Sequence, residues 1–364
     1  MTTQPQRVFI TDCEGPISKN DNAFEFTSHF IPDGQRLFTL ISRYDDVQAD
    51  IVKRPGYKAG DTLKLILPFL KAYEVTNEAM KQFSSQHILL VPQAKETLEF
   101  IGKFMPAYII STSYQQYMHA LCTVIGFPFE NVHATQLDLD RYEISQDEKT
   151  RIKQLKQEMT RLPVFDVPKD SKSLNDFPKK IQQTVHRLDE IFWKEISSME
   201  IGRTLKEVNP VGGVEKAAAI TDIAKRLNTD LQNVMYVGDS ITDVEAFRLV
   251  RNNGGLTLSF NGNNYAIREA EAAALSENAV VTAVLANFFH RFGKAQTITL
   301  IRDWKLSAVE KYSMYQPLKQ SFFSLHRKKP PRVESITAQN IDRLMLESTE
   351  FRKKIRGQSI GQLG

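Results

Sequence analysis

The chain has 364 residues, 41% apolar and 25% charged, with a net charge of +4 and two cysteines. Such totals describe two or three globular domains and exclude a disulfide scaffold, a collagenous or low-complexity chain, and a dedicated nucleic-acid binder. No apolar run is long enough to span a bilayer, and Met1–Gln6 is polar rather than a leader, so a cytoplasmic location is expected.

In chain order, Val8-Phe9-Ile10-Thr11 is a β-branched and aromatic strand that ends at Asp12. Residues 24–86 turn helical, with Phe24, Phe26, Phe30, Leu63, Leu67 and Leu70 at three- and four-residue spacing. The Gly/Pro loop 54–60 breaks that pattern. A helix through Leu98, Phe100 and Ile101 precedes a second buried strand, Ala107–Ile110, which ends at Ser111. After a helix near Tyr117–Val124, Val132–Ile144 reads as a strand with a hairpin.

Residues 147–208 are charged, helical in pattern and broken at Pro163, Pro168 and Pro178. They suit a solvent-facing helical insertion, as a second lid or a dimer surface. Val214–Leu227 is an amphipathic helix carrying Lys216. Val234–Val237 is a strand delivering Gly238-Asp239, with Asp243 four positions later at a helix start. Gly255–Phe260 is a further strand and Ala279–Phe289 a closing helix. From Arg291 onward fifteen Lys or Arg face six Asp or Glu, leaving the preceding body roughly −5. Residues 326–332 read as a basic loop between two C-terminal helices. Docking of this tail on the acidic body competes with contact to an anionic membrane, nucleic acid or an acidic partner.

Strands alternating with helices, each strand ending in a polar residue, define an α/β fold with a parallel sheet and the site beyond its carboxyl edge. That edge gathers Asp12, Ser111 with Thr112, Asp239 and Asp243, with Lys216 nearby. Carboxylates converging this way suit Mg²⁺, a hard cation that takes oxygen ligands. The scattered histidines offer no zinc spacing, and Cys13 is expected to be a buried small residue.

Four motifs in order, V-F-I-T-D-C-E, Y-I-I-S-T-S, G-V-E-K-A-A-A-I and V-G-D-S-I-T-D, resemble the haloacid dehalogenase superfamily, nearest its phosphoserine-phosphatase-like branch. The resemblance implies a Rossmann-like core of residues 1–16, 91–146 and 209–290, a helical cap of 17–90, the insertion 147–208 and a basic helical extension 291–364. It implies an Mg²⁺-dependent phosphatase of a small phosphorylated metabolite, acting through an aspartyl-phosphate. Asp12 is the nucleophile, Glu14 the acid/base, and Ser111 and Lys216 bind the transferring group. The metal is held by Asp12, Asp239, the Glu14 backbone carbonyl and Asp243, the last directly or through water. Within the cap, Arg43, Lys53, Arg54 and Lys58 are candidates to reach an anionic part of the substrate.

Glu14 stands where the family usually has aspartate, and Pro16 where threonine is common. These departures keep open a phosphotransferase or a non-catalytic binding or assembly subunit. The opening D-C-E-G-P-I-S-K-N-D-N-A-F-E is also similar to a little-characterised archaeal and bacterial group labelled as a subunit of an energy-converting hydrogenase, although no residue here points to an iron–sulfur cluster. A second copy of the chain or a protein partner is compatible with this reading.

Overall fold

The structure, a computed structural model, describes residues 6–168, 171–361 and 363. Among them seven strands form one sheet: β1 (Val8–Thr11), β2 (Ala107–Tyr114), β3 (Val132–Thr135), β4 (Val234–Gly238), β5 (Leu256–Phe260), β6 (Ala272–Leu275) and β7 (Arg332–Ser335). Their order is β3-β2-β1-β4-β5-β6-β7. The first six run parallel, and β7 pairs antiparallel with β6. The chain steps outward from β1 to β2 and β3, then returns to place β4 on the other side of β1. The crevice at this reversal, beyond the carboxyl ends of β1 and β4, is where open α/β sheets bind ligands.

The central strands read as continuous apolar runs because both sheet faces are covered. Phe9, Ile109, Met235, Val237 and Leu258 meet one layer of helices, whereas Val8, Ile10, Ile110, Val234 and Tyr236 meet the other. The second layer includes the helix Val214–Arg226, whose Ile220 and Ile223 are fully buried. Each contributes about 1.5–3 kcal/mol of hydrophobic stabilisation. That packing fixes the helix start, and with it Lys216.

A helical layer lies over the carboxyl edge of the sheet. One hydrophobic cluster joins Phe24–Phe83 to Ile152–Val208, so the two insertions share a core. Phe192 stacks on Tyr44, with ring centroids 5.7 Å apart, and Tyr44 donates its hydroxyl to Asp189 at 2.6 Å. Asp45 is buried beneath this layer, accepting from Tyr57 Oη at 2.6 Å and Gly60 N at 2.9 Å. Burial, then the charge of Asp61, pushes its carboxyl up to about 8. Between about pH 4 and pH 8 the folded protein therefore holds a proton that the unfolded chain has released, and Asp45 lowers stability as pH rises through that window. Asp45→Asn removes this component. In urea unfolding at pH 5, 6.5 and 8 it should gain stability relative to wild type as pH rises. A parallel dependence in both proteins would refute the assignment.

Several elements differ from the sequence reading. Val132–Ile144 holds no hairpin: only Val132–Thr135 is a strand, parallel to β2. Leu137, Leu139 and Tyr142 instead enter the core of the helical layer, which removes the reason for an antiparallel return. The closing helix extends from Val280 to Arg302 and bends at Gly293, whose φ is 76°. The basic stretch 326–332 does not join two helices; Arg332 begins β7, with Val333 buried against the sheet.

Candidate active site

Backbone pairing sets the site. β1 and β4 run in register from Val8–Val234 to Thr11–Val237, and Asp12 N donates to Val237 O at 2.8 Å. Asp12 and Asp239 thus leave adjacent strands side by side. Gly15 (φ 107°) allows the loop after Asp12 to pass against Asp239, because a Cβ there would overlap Asp239 Oδ2.

Lys216 Nζ bridges Asp12 Oδ2 and Asp243 Oδ1, each at 2.7 Å, with the lysine fully buried. Asp243 Oδ1 also accepts from Tyr236 Oη at 2.6 Å, while its Oδ2 accepts from the Asp239 and Ser240 amides at 2.8 and 3.0 Å. Four donors fill the acceptor capacity of that carboxylate. Asp243 therefore holds the turn in shape, and its two oxygens have little left to offer a metal directly. Asp12, Asp239 and Asp243 each bring an oxygen within 4.8 Å of the others, an all-oxygen set that fits a hard divalent cation.

β2 runs past its expected end at Ser111 to Tyr114, and Ser111 and Thr112 lie in its carboxyl half, where the pairing with β3 becomes irregular. Ser111 Oγ accepts from Ser113 N at 3.2 Å, and Thr112 Oγ1 donates to Val211 O at 3.0 Å. Glu14 Oε1 accepts from the Asn22 amide at 2.8 Å, at the start of the helix Asn22–Phe30. Cys13 is buried.

Burial pushes Asp12 up to about 6, against the pull of Lys216. Burial also pushes Glu14 up to about 8, helped by Asp21 and opposed by its bond from Asn22. Burial alone would depress the Lys216 ammonium, but Asp12 and Asp243 outweigh it and hold its pKa above the ordinary lysine value.

Two residues that the structure places at this site escaped the sequence reading. The helix Ile341–Arg356 turns Arg352 and Arg356 onto Asp239 Oδ2, the Arg356 Nη1 distance being 3.2 Å. Their four-residue spacing places both on one face, while Lys354 pairs outward with Glu277 at 2.9 Å. That spacing was visible, yet a basic helical run reads equally as a solvated surface.

The four cations expected to reach an anionic part of the substrate do not join them. Arg43 pairs with Asp166 at 3.0 Å, and Arg54 pairs with Asp189 at 3.1 Å and lies over Trp193. Lys58 contacts Glu215 at 3.5 Å and Asn209. Lys53 borders a separate depression with Tyr265 and Arg268. The cavity of about 100 Å³ beside Asp12 is lined instead by Glu14, Ser111, Thr112, Asp239, Arg352 and Arg356, with Phe38, Asp45 and Leu63 on the cap side.

Residues 74–284 match a family model described as haloacid dehalogenase-like hydrolase. The chain belongs to that family. Its structure is similar to that of a gene product from Archaeoglobus fulgidus, with 25% identity over 99% of each chain and a TM-score of 0.80. A phospho-aspartyl intermediate analogue of phosphoserine phosphatase aligns over 74% of this chain and 92% of its own, at 12% identity and a TM-score of 0.44. A substrate-bound phosphoserine phosphatase complex aligns over 76% and 96%, at 12% identity and a TM-score of 0.42. No curated protein matches.

Proposed function

We propose that this hydrolase is an Mg²⁺-dependent phosphatase of a small phosphorylated metabolite, acting through an aspartyl-phosphate on Asp12. The observation that carries the reading is the buried Asp12 carboxylate, fixed by Lys216 at 2.7 Å with oxygens of Asp239 and Asp243 within 4.8 Å. Asp12, Asp239 and the Glu14 carbonyl would hold Mg²⁺, with Asp243 acting through water; when bound it would offset the repulsion between carboxylate and phosphate.

A carboxylate oxygen of Asp12 attacks phosphorus as the ester P–O bond breaks, and the electron pair leaves with the alcohol oxygen. Glu14 holds a proton at neutral pH and gives it to that oxygen. It then takes a proton from water, which attacks phosphorus, releases phosphate and restores Asp12. Lys216 and Ser111 stabilise charge on the transferring group. The cap-side lining by Phe38 and Leu63 limits water and favours a small substrate over a phosphoprotein.

A panel of small phosphoesters tests this reading. Turnover should appear with Mg²⁺, vanish with a chelator and return when Mg²⁺ is restored. Absence of hydrolysis across the panel with Mg²⁺ present would sink it, and transfer to an added alcohol exceeding hydrolysis would select the phosphotransferase.

A further inference from the structure

The two arginines on Asp239 are not equivalent. Arg356 commits all three nitrogens to the fold: Nε to Lys19 O at 3.0 Å, Nη2 to Asn20 O, and Nη1 to Asp239 Oδ2 at 3.2 Å. These bonds fasten the C-terminal helix to the loop between β1 and the first cap helix. Arg352 is 3% exposed. Its Nη1 meets Asp239 Oδ2 and the Asp239 carbonyl, the latter at 3.2 Å. Its Nε is buried and, among the described residues, has no hydrogen-bond partner.

An unmet buried donor costs about 1–3 kcal/mol, more on a charged group, and buried polar atoms without partners call for an explanation. Arg352 lines the same cavity as Asp12, Ser111 and Glu14. Guanidinium is a planar fork suited to the paired oxygens of carboxylate or phosphate. The carboxylates of Asp12, Glu14, Asp21 and Asp239 border this cavity, so an entering anion needs a cation on the wall. Lys216 is already shared between Asp12 and Asp243.

We propose that Arg352 is a substrate-binding residue, its spare donors taking an anionic oxygen of the phosphoester, whereas Arg356 is a positioning residue that anchors the helix. The proposal rests on the phosphatase reading. The oxygen belongs to the phosphoryl group or to a second acidic group on the same substrate.

Two non-hydrolysable probes separate these sources: methylphosphonate, and phosphonoacetate, which adds a carboxylate. Each is titrated calorimetrically into the full chain with Mg²⁺, as wild type, Arg352→Gln and Arg352→Lys. Arg352→Gln should weaken phosphonoacetate by about 10- to 100-fold, and Arg352→Lys by less. A matching loss for methylphosphonate assigns the phosphoryl group; a loss confined to phosphonoacetate assigns the second acid. Unchanged affinity for both probes in either folded variant overturns the proposal. So does recovery of wild-type affinity at saturating Mg²⁺, which would mean that Arg352 only positions Asp239. Should Arg352→Gln fail to fold, Arg352→Lys alone decides. If wild type binds Mg²⁺ but neither probe, the phosphatase reading itself falls.

Discussion

Asp12→Asn should lower phosphoester turnover by at least about a thousandfold, the scale expected when a covalent nucleophile is lost. The substitution is nearly isosteric, and Asn keeps an oxygen for the Cys13 amide that now donates to Asp12 Oδ1 at 2.7 Å. Lys216 retains Asp243 at 2.7 Å, so the buried ammonium is not orphaned and the variant should fold. Neutralising a carboxylate whose charged form burial disfavours partly offsets the lost ion pair. The loss should therefore fall on kcat while the urea midpoint stays near that of wild type. Beryllium fluoride should form an adduct at Asp12 in wild type and none in the variant. Hydrolysis surviving Asp12→Asn would remove the proposed nucleophile.

Lys216→Met should have the largest effect on stability. It removes the cation between Asp12 and Asp243, both buried, with Asp239 nearby. Breaking a buried pair by deleting one partner costs about 3–5 kcal/mol, because the remaining charge has no compensation. Methionine fills the space of the stem, so little of the loss is cavity formation. Adding Asp243→Asn should recover part of the stability, since one uncompensated charge goes with it. The same double variant should stay inactive, because Asp12 would still lack its neighbouring ammonium. Equal destabilisation in single and double variants would mean that packing, rather than charge, governs the site.

The central strands and four motif residues were legible because buried parallel strands leave continuous apolar runs, each leading into a polar residue. Asp12, Ser111 and Asp239 needed only that rule, and Lys216 needed an amphipathic helix. β6 was missed because Ala272–Leu275 is mostly alanine, with little strand preference. β7 was missed because Arg332–Ser335 sends one apolar side chain inward and follows a basic run. The cap cations could be named, but not their partners: Asp166 and Asp189 lie more than a hundred positions later. Arg352 failed for the same reason in reverse, since only the tertiary path of the tail reveals that it faces Asp239.

The tail's anchorage has a consequence for biosynthesis. Arg356 reaches Lys19 across 337 positions, and Arg352 reaches Asp239 across 113. Contacts of such separation form late, and a chain emerging from the ribosome presents its N-terminal strands first. Asp12, Lys216, Asp239 and Asp243 are all translated before either arginine. Until the helix Ile341–Arg356 has been translated, the cavity beside Asp12 therefore lacks the wall that Arg352 and Arg356 supply.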